Sequence, residues 1–470
     1  MSFTRRQLLQ AVGAGVALTS VARSSAAGPT ERVFVHPRSG PVAGLLNAIG
    51  DVGGTVVLEY DNFDFVVAEI PVDRRNDLLA DLGVAFVEDD DDAGIPSGWA
   101  PSVLDILDPR DPADCSTHPD QRGSWGWERI GADGVDLYGE GVDIGILDTG
   151  ILSDHCSLAV AGGRDFTGAV PSNDYEDRHG HGTHVAGIAG ALDNEIGVVG
   201  VAPAANLYAV KVLDDEGAGR YSWLIAGIDW CISNEIEVIS MSLGGGSESV
   251  SADQAIEKAH ETGHLLLSAA GNEGVDGDEC EDEKMTYPAT HPDVVAVTAM
   301  NKDDSLATYS SLGSGIDLLA PGTDISSTFV NNGYADASGT SMACPFVTGV
   351  AALVWQRRGD NGPGPNDVVR SILADSAETV LDRCAEGEGL INARAAVADD
   401  RAGEGEAEPS PGDDQVNADA PPAADDPGAV DENPGADWID DSEVGWLGSF
   451  VRWLARIIRS TIEFIVSLFR

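Results

Sequence analysis

The stretch Val142-Asp143-Ile144-Gly145-Ile146-Leu147-Asp148-Thr149-Gly150 decides the fold. Its apolar run is typical of a buried strand, and it ends in a carboxylate and a glycine turn. An acid at the C-terminal edge of a strand can orient a histidine. Residues 148–150 alone are weak evidence, because they also fit a plain strand-to-turn transition or one half of an aspartic protease site.

Outward from this strand, residues 121–398 alternate apolar strand runs with longer helical patterns. This alternation predicts an α/β domain with a mainly parallel sheet flanked by helices. The other predicted strands include residues 207–213, 238–241, 265–269 and 294–298.

A second motif, His181-Gly182-Thr183-His184-Val185-Ala186-Gly187, places an imidazole at the start of a helix of small residues. Small residues allow that helix to pack closely beneath a site. The two histidines, three positions apart, could also bind a metal, but the glutamate of the zincin arrangement is missing between them.

A third motif, Gly339-Thr340-Ser341-Met342-Ala343-Cys344-Pro345, precedes an apolar helical run that ends at residue 355. Ser341 would lie at the helix N-terminus, where unpaired backbone N–H groups and the positive end of the dipole favour an oxyanion. A serine that merely caps the helix is the alternative.

The three motifs together predict a nucleophilic site. Ser341 as nucleophile needs His181 as general base, and His181 needs Asp148 to fix its tautomer and to stabilise the imidazolium. Asn272 follows the apolar strand that ends in Ala269-Ala270-Gly271, so its amide could supply an oxyanion donor.

With these residues in the order Asp, His, Ser, the chain resembles the subtilisin family of serine proteases over residues 121–398. Its acidic character is similar to that of the halolysins of halophilic archaea. The resemblance implies a serine endopeptidase that acts on protein or peptide substrates and needs no cofactor for its chemistry. Further matching segments are residues 192–198, 200–203, 207–213, 240–245 and 389–392.

The resemblance also implies a cleft for an apolar, extended substrate that pairs as an added strand. Thr286 lies where many relatives have a glycine at the base of the P1 pocket, which puts large P1 side chains in doubt. The implied walls of the P1 pocket are Ser242, Leu243, Gly244, Ala269, Ala270 and Gly271. The implied P4 subsite consists of Gly219, Tyr221 and Leu224.

A structural calcium site is a further implication of the resemblance. Its ligands would be Gln121, Asn194 and the carbonyl groups of Leu192, Ile196 and Val198. Ser157 replaces the acidic ligand of the family, so a hard cation loses its main charged partner. Calcium binding is therefore an open expectation.

The pattern before the large domain is β-α-β-β-α-β over residues 29–92, which predicts a small α+β ferredoxin-like domain. By resemblance it is a propeptide, a chaperone and inhibitor removed by self-cleavage; a permanent structural domain is the alternative. Residues 93–120 are rich in Asp, Pro and Gly and predict an exposed linker that contains the processing site.

The two ends of the chain predict export and surface association. Residues 1–28 contain Arg5-Arg6, an apolar run and small residues, which resembles a twin-arginine signal peptide for export of a folded protein; a retained amphipathic helix is the alternative. Residues 399–443 predict an acidic disordered linker. Residues 444–470 predict a basic amphipathic helix at a membrane surface, or one that packs on its own catalytic domain or on a partner.

The composition has 79 acidic against 27 basic residues in 470, a formal net charge of -52, which excludes a nucleic-acid binder. The excess indicates a surface that stays hydrated in concentrated salt, and it predicts a loss of structure or activity at low ionic strength; an ordinary acidic protein is the alternative. Six cysteines are too few for a disulfide scaffold, and Cys231 and Cys344 are expected to be free and buried.

The alternative to a protease function is a non-catalytic surface-binding protein that works through the predicted C-terminal helix.

Overall fold

A computed structural model describes residues 28–38, 42–103, 115, 120–168, 170–246, 248–274, 284–359 and 362–398. The predicted signal peptide up to residue 27, the acidic linker at 399–443 and the C-terminal helix at 444–470 lie outside the described residues. Within the described ranges, no helix is both long enough and apolar enough to cross a membrane.

The N-terminal part is a four-stranded antiparallel sheet in the order β2-β3-β1-β4 with two helices. This matches the predicted β-α-β-β-α-β order, and a 3₁₀ turn, Val72–Arg74, precedes the second helix. The elements are β1 (Thr30–Pro37), α1 (Ala43–Asp51), β2 (Thr55–Glu59), β3 (Val66–Pro71), α2 (Arg75–Leu79) and β4 (Val84–Asp89).

The large domain contains a seven-stranded sheet in the order β14-β13-β12-β11-β7-β9-β8, and every neighbouring pair in it is parallel. The predicted mainly parallel sheet is confirmed. Its strands are β7 (Asp143–Asp148), β8 (Val160–Asp165), β9 (Asn206–Lys211), β11 (Val238–Met241), β12 (Leu265–Ala269), β13 (Val294–Met300) and β14 (Leu318–Pro321).

Helices cover both faces of this sheet, which explains why its central strands are buried at every position and are mainly apolar rather than alternating. The helices are α3 (Trp125–Arg129), α4 (His181–Gly190), α5 (Tyr221–Ser233), α6 (Val250–Glu261), α7 (Thr340–Arg358), α8 (Asn366–Asp375), α9 (Arg383–Glu386) and α10 (Ala393–Ala398). Short strands complete the fold: β5 (Asp92–Gly94), β6 (Ser102–Val103), β10 (Ala218–Arg220), β15 (Ile325–Phe329) and β16 (Gly333–Ala337).

The small residues of α4 have the predicted effect on packing. All ten residues of this helix are buried, and α7 is buried from Thr340 to Trp355. Because the carboxyl ends of parallel strands meet at one edge of a sheet, β7, β11 and β12 direct the chain that follows them to the same edge. The N-termini of α4 and α7 lie at this edge as well, since His181 contacts Asp148 and Ser341 contacts Ser242.

The cysteines divide into bonded and free groups. Cys115 and Cys156 form a disulfide with a Cα–Cα distance of 5.7 Å, and Cys384 is also disulfide-bonded. Cys231 and Cys344 are free and fully buried, as predicted. Burial raises the pKa of the Cys344 thiol to about 11, so it stays protonated at neutral pH.

Candidate active site

The buried pair Asp148 and His181 forms the centre of the site. Asp148 is the last residue of β7 and His181 is the first residue of α4, and both side chains have no solvent exposure. Nδ1 of His181 lies 2.8 Å and 2.9 Å from the two carboxylate oxygens of Asp148. With its Nδ1 proton donated to this carboxylate, the imidazole presents Nε2 as a base.

A second buried carboxylate, Asp177, holds the turn before α4. It accepts hydrogen bonds from the backbone N–H groups of His179, Gly180 and Thr183, each at 2.9 Å, and from the Thr183 hydroxyl at 2.6 Å. The Thr149 hydroxyl donates to it as well, at 2.9 Å. Asp177 therefore ties the end of β7 to the start of α4.

The junction between β7 and α4 also requires the backbone at Gly182 to lie close to the backbone at Gly150. The Gly182 N–H donates to the Thr149 hydroxyl at 2.9 Å. A Cβ atom on Gly182 would lie 2.1 Å from the Gly150 carbonyl oxygen, a distance that no side chain can occupy. Glycine at 182 is thus required for Asp148 and His181 to meet.

Ser341 occupies the second position of α7 and is 2 % exposed. Its hydroxyl donates to the carbonyl of Ser242 at 3.3 Å, and the Ser242 hydroxyl donates to the Ser341 carbonyl at 2.9 Å. Pro345 lacks the N–H that would bond this carbonyl within the helix, so Ser242 satisfies it instead.

The contact between serine and histidine is not made in this state. Nε2 of His181 is buried and has no hydrogen-bond partner among the described residues. Before Ser341 can donate its proton to His181, its hydroxyl must leave the Ser242 carbonyl. The structure therefore brings Asp148 and His181 into contact and leaves Ser341 bonded to the neighbouring strand end.

The Asn272 amide has a defined orientation. Its Oδ1 accepts from the backbone N–H and from the hydroxyl of Thr340, both at 2.9 Å. Its Nδ2 therefore faces the other way and donates to the carbonyl oxygen of Ser97 at 3.1 Å. An amide held in this way is suited to bind a developing oxyanion.

A segment of the chain itself lies in the cleft. β5 pairs antiparallel with β10, so that Ala93 opposes Gly219. On its other side, Gly94 exchanges two backbone hydrogen bonds of 2.9 Å with Gly244. This is the added-strand pairing expected of a substrate.

The predicted pockets adjoin this segment. Ala93 packs in one apolar cluster with Leu243 and with two residues of the expected P4 subsite, Tyr221 and Leu224. Thr286 lies between Gly244 and Gly271: a Cβ on Gly244 would be 2.5 Å from the Thr286 hydroxyl. That hydroxyl is buried without a hydrogen-bond partner in the described part of the chain, at the position that the resemblance assigns to the base of the P1 pocket.

As placed, the expected calcium ligands do not fit a calcium ion. The carbonyls of Leu192 and Val198 accept from the Gln121 amide nitrogen at 2.6 Å and 3.1 Å, and Ile196 lies at 3.5 Å from it. The Asn194 amide donates to the Cys156 carbonyl at 2.9 Å. The donor set is neutral, whereas calcium sites rely on carboxylates.

Ser157 lies where the family has an acidic ligand, and its hydroxyl makes hydrogen bonds to uncharged groups. Its hydroxyl contacts the Ile196 carbonyl at 3.2 Å and the Tyr334 hydroxyl at 2.8 Å. Across the described ranges, no group of three or more His, Cys, Asp or Glu side chains could hold a metal ion.

Sequence reasoning missed Asp177, Thr340 and the cleft segment around Ser97 and Trp99. For Asp177 a signal was present, since an acid just before a helix start is favoured by the unpaired N–H groups there. For Thr340 and Trp99 no local pattern indicates a role, because their partners lie 68 or more positions away along the chain.

The chain is similar in sequence to a known protein family and to several named proteins. Residues 139–409 match the model described as the subtilase family. Subtilisin NAT of Bacillus subtilis subsp. natto is 38% identical over 356 residues, which cover 75% of this chain and 85% of that protein. Subtilisin of Bacillus pumilus is 45% identical over 261 residues, 55% of this chain and 92% of that protein. Subtilisin BL of Lederbergia lenta is 41% identical over 276 residues, 58% of this chain and 98% of that protein.

Proposed function

This chain belongs to the subtilase family and is a serine endopeptidase, and we propose that Asp148, His181 and Ser341 are its catalytic triad, with Asn272 as oxyanion donor. The observation that carries the proposal is the fully buried contact between His181 and Asp148, beside an extended segment whose Ser97 carbonyl meets the Asn272 amide.

The proposed reaction follows from these positions. Ser341 Oγ attacks the peptide carbonyl carbon, its proton passes to His181 Nε2, and the oxyanion is bound by Asn272 Nδ2 and the Ser341 N–H. When the C–N bond breaks, His181 gives its proton to the leaving amine and an ester remains on Ser341. Water then attacks the ester, and the same proton path in reverse releases the acid and restores the serine.

We also propose that the enzyme is made as a precursor that cuts itself. Residues 29–92 would be the propeptide and inhibitor, and residues 93–120 the linker that contains the processing site. The pairing of Gly94 with Gly244 and the contact of Asn272 with the Ser97 carbonyl support a first cut at one of the two bonds that flank Ser97. The mature chain should then begin at Ser97 or Gly98.

Two carboxylates of the N-terminal domain support its role as an inhibitor and chaperone. Glu88 accepts from the backbone N–H groups of Val250 and Ser251, at 2.7 Å and 3.0 Å, at the start of α6. Asp90 accepts from the Ser222 N–H at 2.9 Å at the start of α5. Both helices thus have N-terminal donors satisfied by the domain that would be removed.

Export and salt dependence complete the proposal. The segment at 1–28 supports secretion, with the twin-arginine pair as the sign of export in a folded state. The net charge of -52 supports a salt requirement, since the Debye length falls from about 10 Å at 0.1 M to about 3 Å at 1 M. The basic, apolar pattern of residues 444–470, which predicts an amphipathic helix, supports retention at the outer membrane surface.

Labelling by a serine-directed covalent inhibitor tests the mechanism. In 2–3 M KCl the processed enzyme should be labelled at Ser341 stoichiometrically, and a Ser341→Ala chain should be neither labelled nor processed. N-terminal sequencing of the processed chain locates the cut. A folded, processed chain that the inhibitor never labels contradicts the mechanism, and full activity after desalting contradicts the salt requirement.

A further inference from the structure

Lys211 is a buried lysine close to Asp148 that the proposed mechanism does not use. It is the last residue of β9 and lies opposite Asp148 in the parallel pairing of β9 with β7. Its side chain is 3% exposed, and a charged group is rarely buried to this extent unless it is paired. Its Nζ donates to the Thr149 carbonyl at 2.6 Å and lies 3.0 Å from a carboxylate oxygen of Asp215. The ammonium group therefore joins the turn after β7 to the loop after β9.

The Thr149 end of this contact holds the groups around Asp148. The Thr149 N–H donates to Oδ1 of Asp148 at 2.7 Å, and the Thr149 hydroxyl accepts from the Gly182 N–H at the start of α4. Lys211 binds the carbonyl of the same residue, and a hydrogen bond from a charged donor is stronger than one between neutral groups. Lys211 thus fixes the residue through which both the Asp148 carboxylate and the first turn of α4 are oriented.

The Asp215 end belongs to the loop that binds the extended segment in the cleft. This loop, residues 212–217, connects β9 with β10, and its Gly217 carbonyl accepts from the Ile95 N–H at 3.1 Å. β10 then pairs with β5 of that segment, as it would pair with a substrate. One lysine side chain therefore links the substrate-pairing strand to the end of β7, where Asp148 lies.

The charge of Lys211 also acts on the imidazole rings of the site. Burial and the neighbouring His181 lower the pKa of His179, and the Lys211 ammonium lowers it further. A positive charge disfavours proton uptake by a nearby imidazole, and salt screens a buried charge less than an exposed one. Removal of the ammonium should therefore favour proton uptake at the site. The other charged or titratable groups next to His181 in the described chain are Asp148 on β7, Asp177 in the turn before α4, and the rings of His179 and His184.

We propose that Lys211 is a positioning residue for peptide hydrolysis, which holds the contact of Asp148 with His181 and the substrate-pairing strand β10 in one fixed arrangement. It acts through Thr149 on the catalytic side and through Asp215 on the substrate side. The inference rests on the proposed protease function and adds to it a residue that keeps the base aligned with a bound substrate.

Peptide hydrolysis by the processed enzyme, measured across pH, tests this role. Lys211→Met keeps the length of the side chain and removes its charge and its polar contacts. We expect kcat to fall about 10-fold, near the lower end of what a hydrogen bond to a charged group contributes. The pH at which kcat/KM reaches half its plateau on the acid side should rise by about 0.5 unit, less than the roughly 1–3 units caused by a charge in direct contact.

Lys211→Arg is the conservative variant, because it keeps the positive charge. The guanidinium has room at its outer end, since the Asp215 side chain is 42% exposed. This variant should return the acid side of the kcat/KM profile to that of the parent enzyme and recover most of kcat.

Asp215→Asn tests the substrate side of the contact alone. It keeps the bond from Lys211 to the Thr149 carbonyl and weakens the link to the loop, so KM should rise about 3-fold while kcat changes little. Asp215 also lies 3.8 Å from Arg178, in a pair whose side chains are about half exposed. Arg178→Gln removes that pair and keeps the lysine contact, and it should leave KM unchanged.

Two further variants remove the same charges at a distance from the site. Lys258→Met changes a lysine in the last turn of α6. Glu140→Gln changes an exposed acid that precedes β7, at the opposite end of that strand from Asp148. Both variants should keep the KM, the kcat and the pH profile of the parent enzyme.

The outcomes distinguish this inference from the proposed function. A Lys211→Met enzyme that is labelled at Ser341 and has the parent's pH profile overturns the inference, and so does a Lys211→Arg enzyme with the same kcat and profile as the methionine variant. If Lys211→Met does not fold or is not processed, Asp215→Asn decides, and a KM equal to that of the parent overturns the inference. A folded, processed parent enzyme that is never labelled contradicts the proposed function instead.

Discussion

Among single side chains, Thr340 determines which way the Asn272 amide faces. It offers two donors to Asn272 Oδ1, and its hydroxyl also accepts from the Gly271 N–H at 3.2 Å. Because an amide has one accepting and one donating end, donors fixed on one side direct the N–H group to the other side, where the Ser97 carbonyl lies. In the proposed mechanism, the residue before the nucleophile therefore orients the oxyanion donor.

The first prediction concerns this pair. Asn272→Ala should lower kcat by about 100- to 1,000-fold with little change in KM, a magnitude known for loss of one oxyanion donor in a subtilisin and carried over here. Thr340→Val keeps the backbone donor but loses the hydroxyl, so it should lower kcat by a smaller factor, about 10-fold.

Peptide hydrolysis measures both effects. Thr340→Ser retains the hydroxyl and is the matched control, with kcat expected near that of the parent. A loss of kcat in the serine variant with none in the valine variant would mean that the methyl group of Thr340, and not its hydrogen bond, is what matters.

At the scale of elements, the junction between β7 and α4 depends on the buried carboxylate of Asp177. Five donors converge on it, from both elements and from the turn between them. A buried charge is stable only with such full hydrogen bonding, and removing its acceptor capacity leaves several donors unsatisfied.

The second prediction follows from this count of donors. Asp177→Asn should lower the free energy of unfolding by about 3 kcal/mol, because an amide has one oxygen where the carboxylate has two. It should also lower kcat, since the turn positions His181. Urea unfolding in high salt gives the first quantity and peptide hydrolysis the second.

A nearby surface acid is the control. Asp174 pairs with Arg178 and its side chain is 60% exposed, so Asp174→Asn should change stability by less than about 0.5 kcal/mol. If the two variants unfold at the same urea concentration, Asp177 does not hold the junction.

The third prediction concerns the loop at residues 192–198, held by the Gln121 amide. We expect the melting temperature of the parent protein to be the same with calcium and with EDTA, because the carbonyls there already accept N–H donors. Ser157→Asp supplies the missing carboxylate and should make the melting temperature rise with calcium, by the equivalent of about 2–3 kcal/mol at a 100-fold excess over Kd.

Calorimetry of the variant with and without calcium checks this expectation. Ser157→Asn introduces a side chain of nearly the same size as aspartate but without the charge. The melting temperature of this variant should not respond to calcium. A large loss of stability of the parent protein in EDTA would mean that the neutral oxygens bind calcium after all.

The elements that carry the site were predictable, and several of their contacts were not. The predicted strands 238–241 and 265–269 coincide with β11 and β12, because short, mainly apolar runs mark strands buried on both faces. The contact of Asp148 with His181 followed from motif chemistry. The role of Asp177 and the path of residues 92–103 depend on contacts between residues that are far apart in the sequence. Hydrophobic periodicity predicts local secondary structure and carries no information about such contacts.

For the whole molecule, the interface between the N-terminal domain and the large domain contains a buried histidine. His36 Nε2 contacts the Ser251 hydroxyl at 2.8 Å, and its ring stacks on Phe86 at 3.9 Å between centroids. The Glu88 carboxylate lies 3.9 Å away and is occupied by donors at the start of α6. Burial lowers the pKa of His36 to about 4.

The fourth prediction derives the pH dependence of docking from this shift. In the separated domain the His36 ring meets water, and its pKa returns toward 6.5, so the separated state binds a proton at a higher pH than the docked state does. Docking is therefore strongest above pH 6.5, weakens as the pH falls below 6.5, and stops weakening near pH 4. Between pH 8 and pH 5 the affinity should fall by up to about 30-fold from this group alone, the limit being a full return of its pKa to 6.5.

Titration of the isolated N-terminal domain into the Ser341→Ala large domain, in 2–3 M KCl, measures this dependence without proteolysis. His36→Gln cannot take up a proton and should bind with a flatter pH profile, so that parallel profiles for the parent and the variant would show that the dependence arises elsewhere, for instance at the carboxylates Glu88 and Asp90 that cap the two helices.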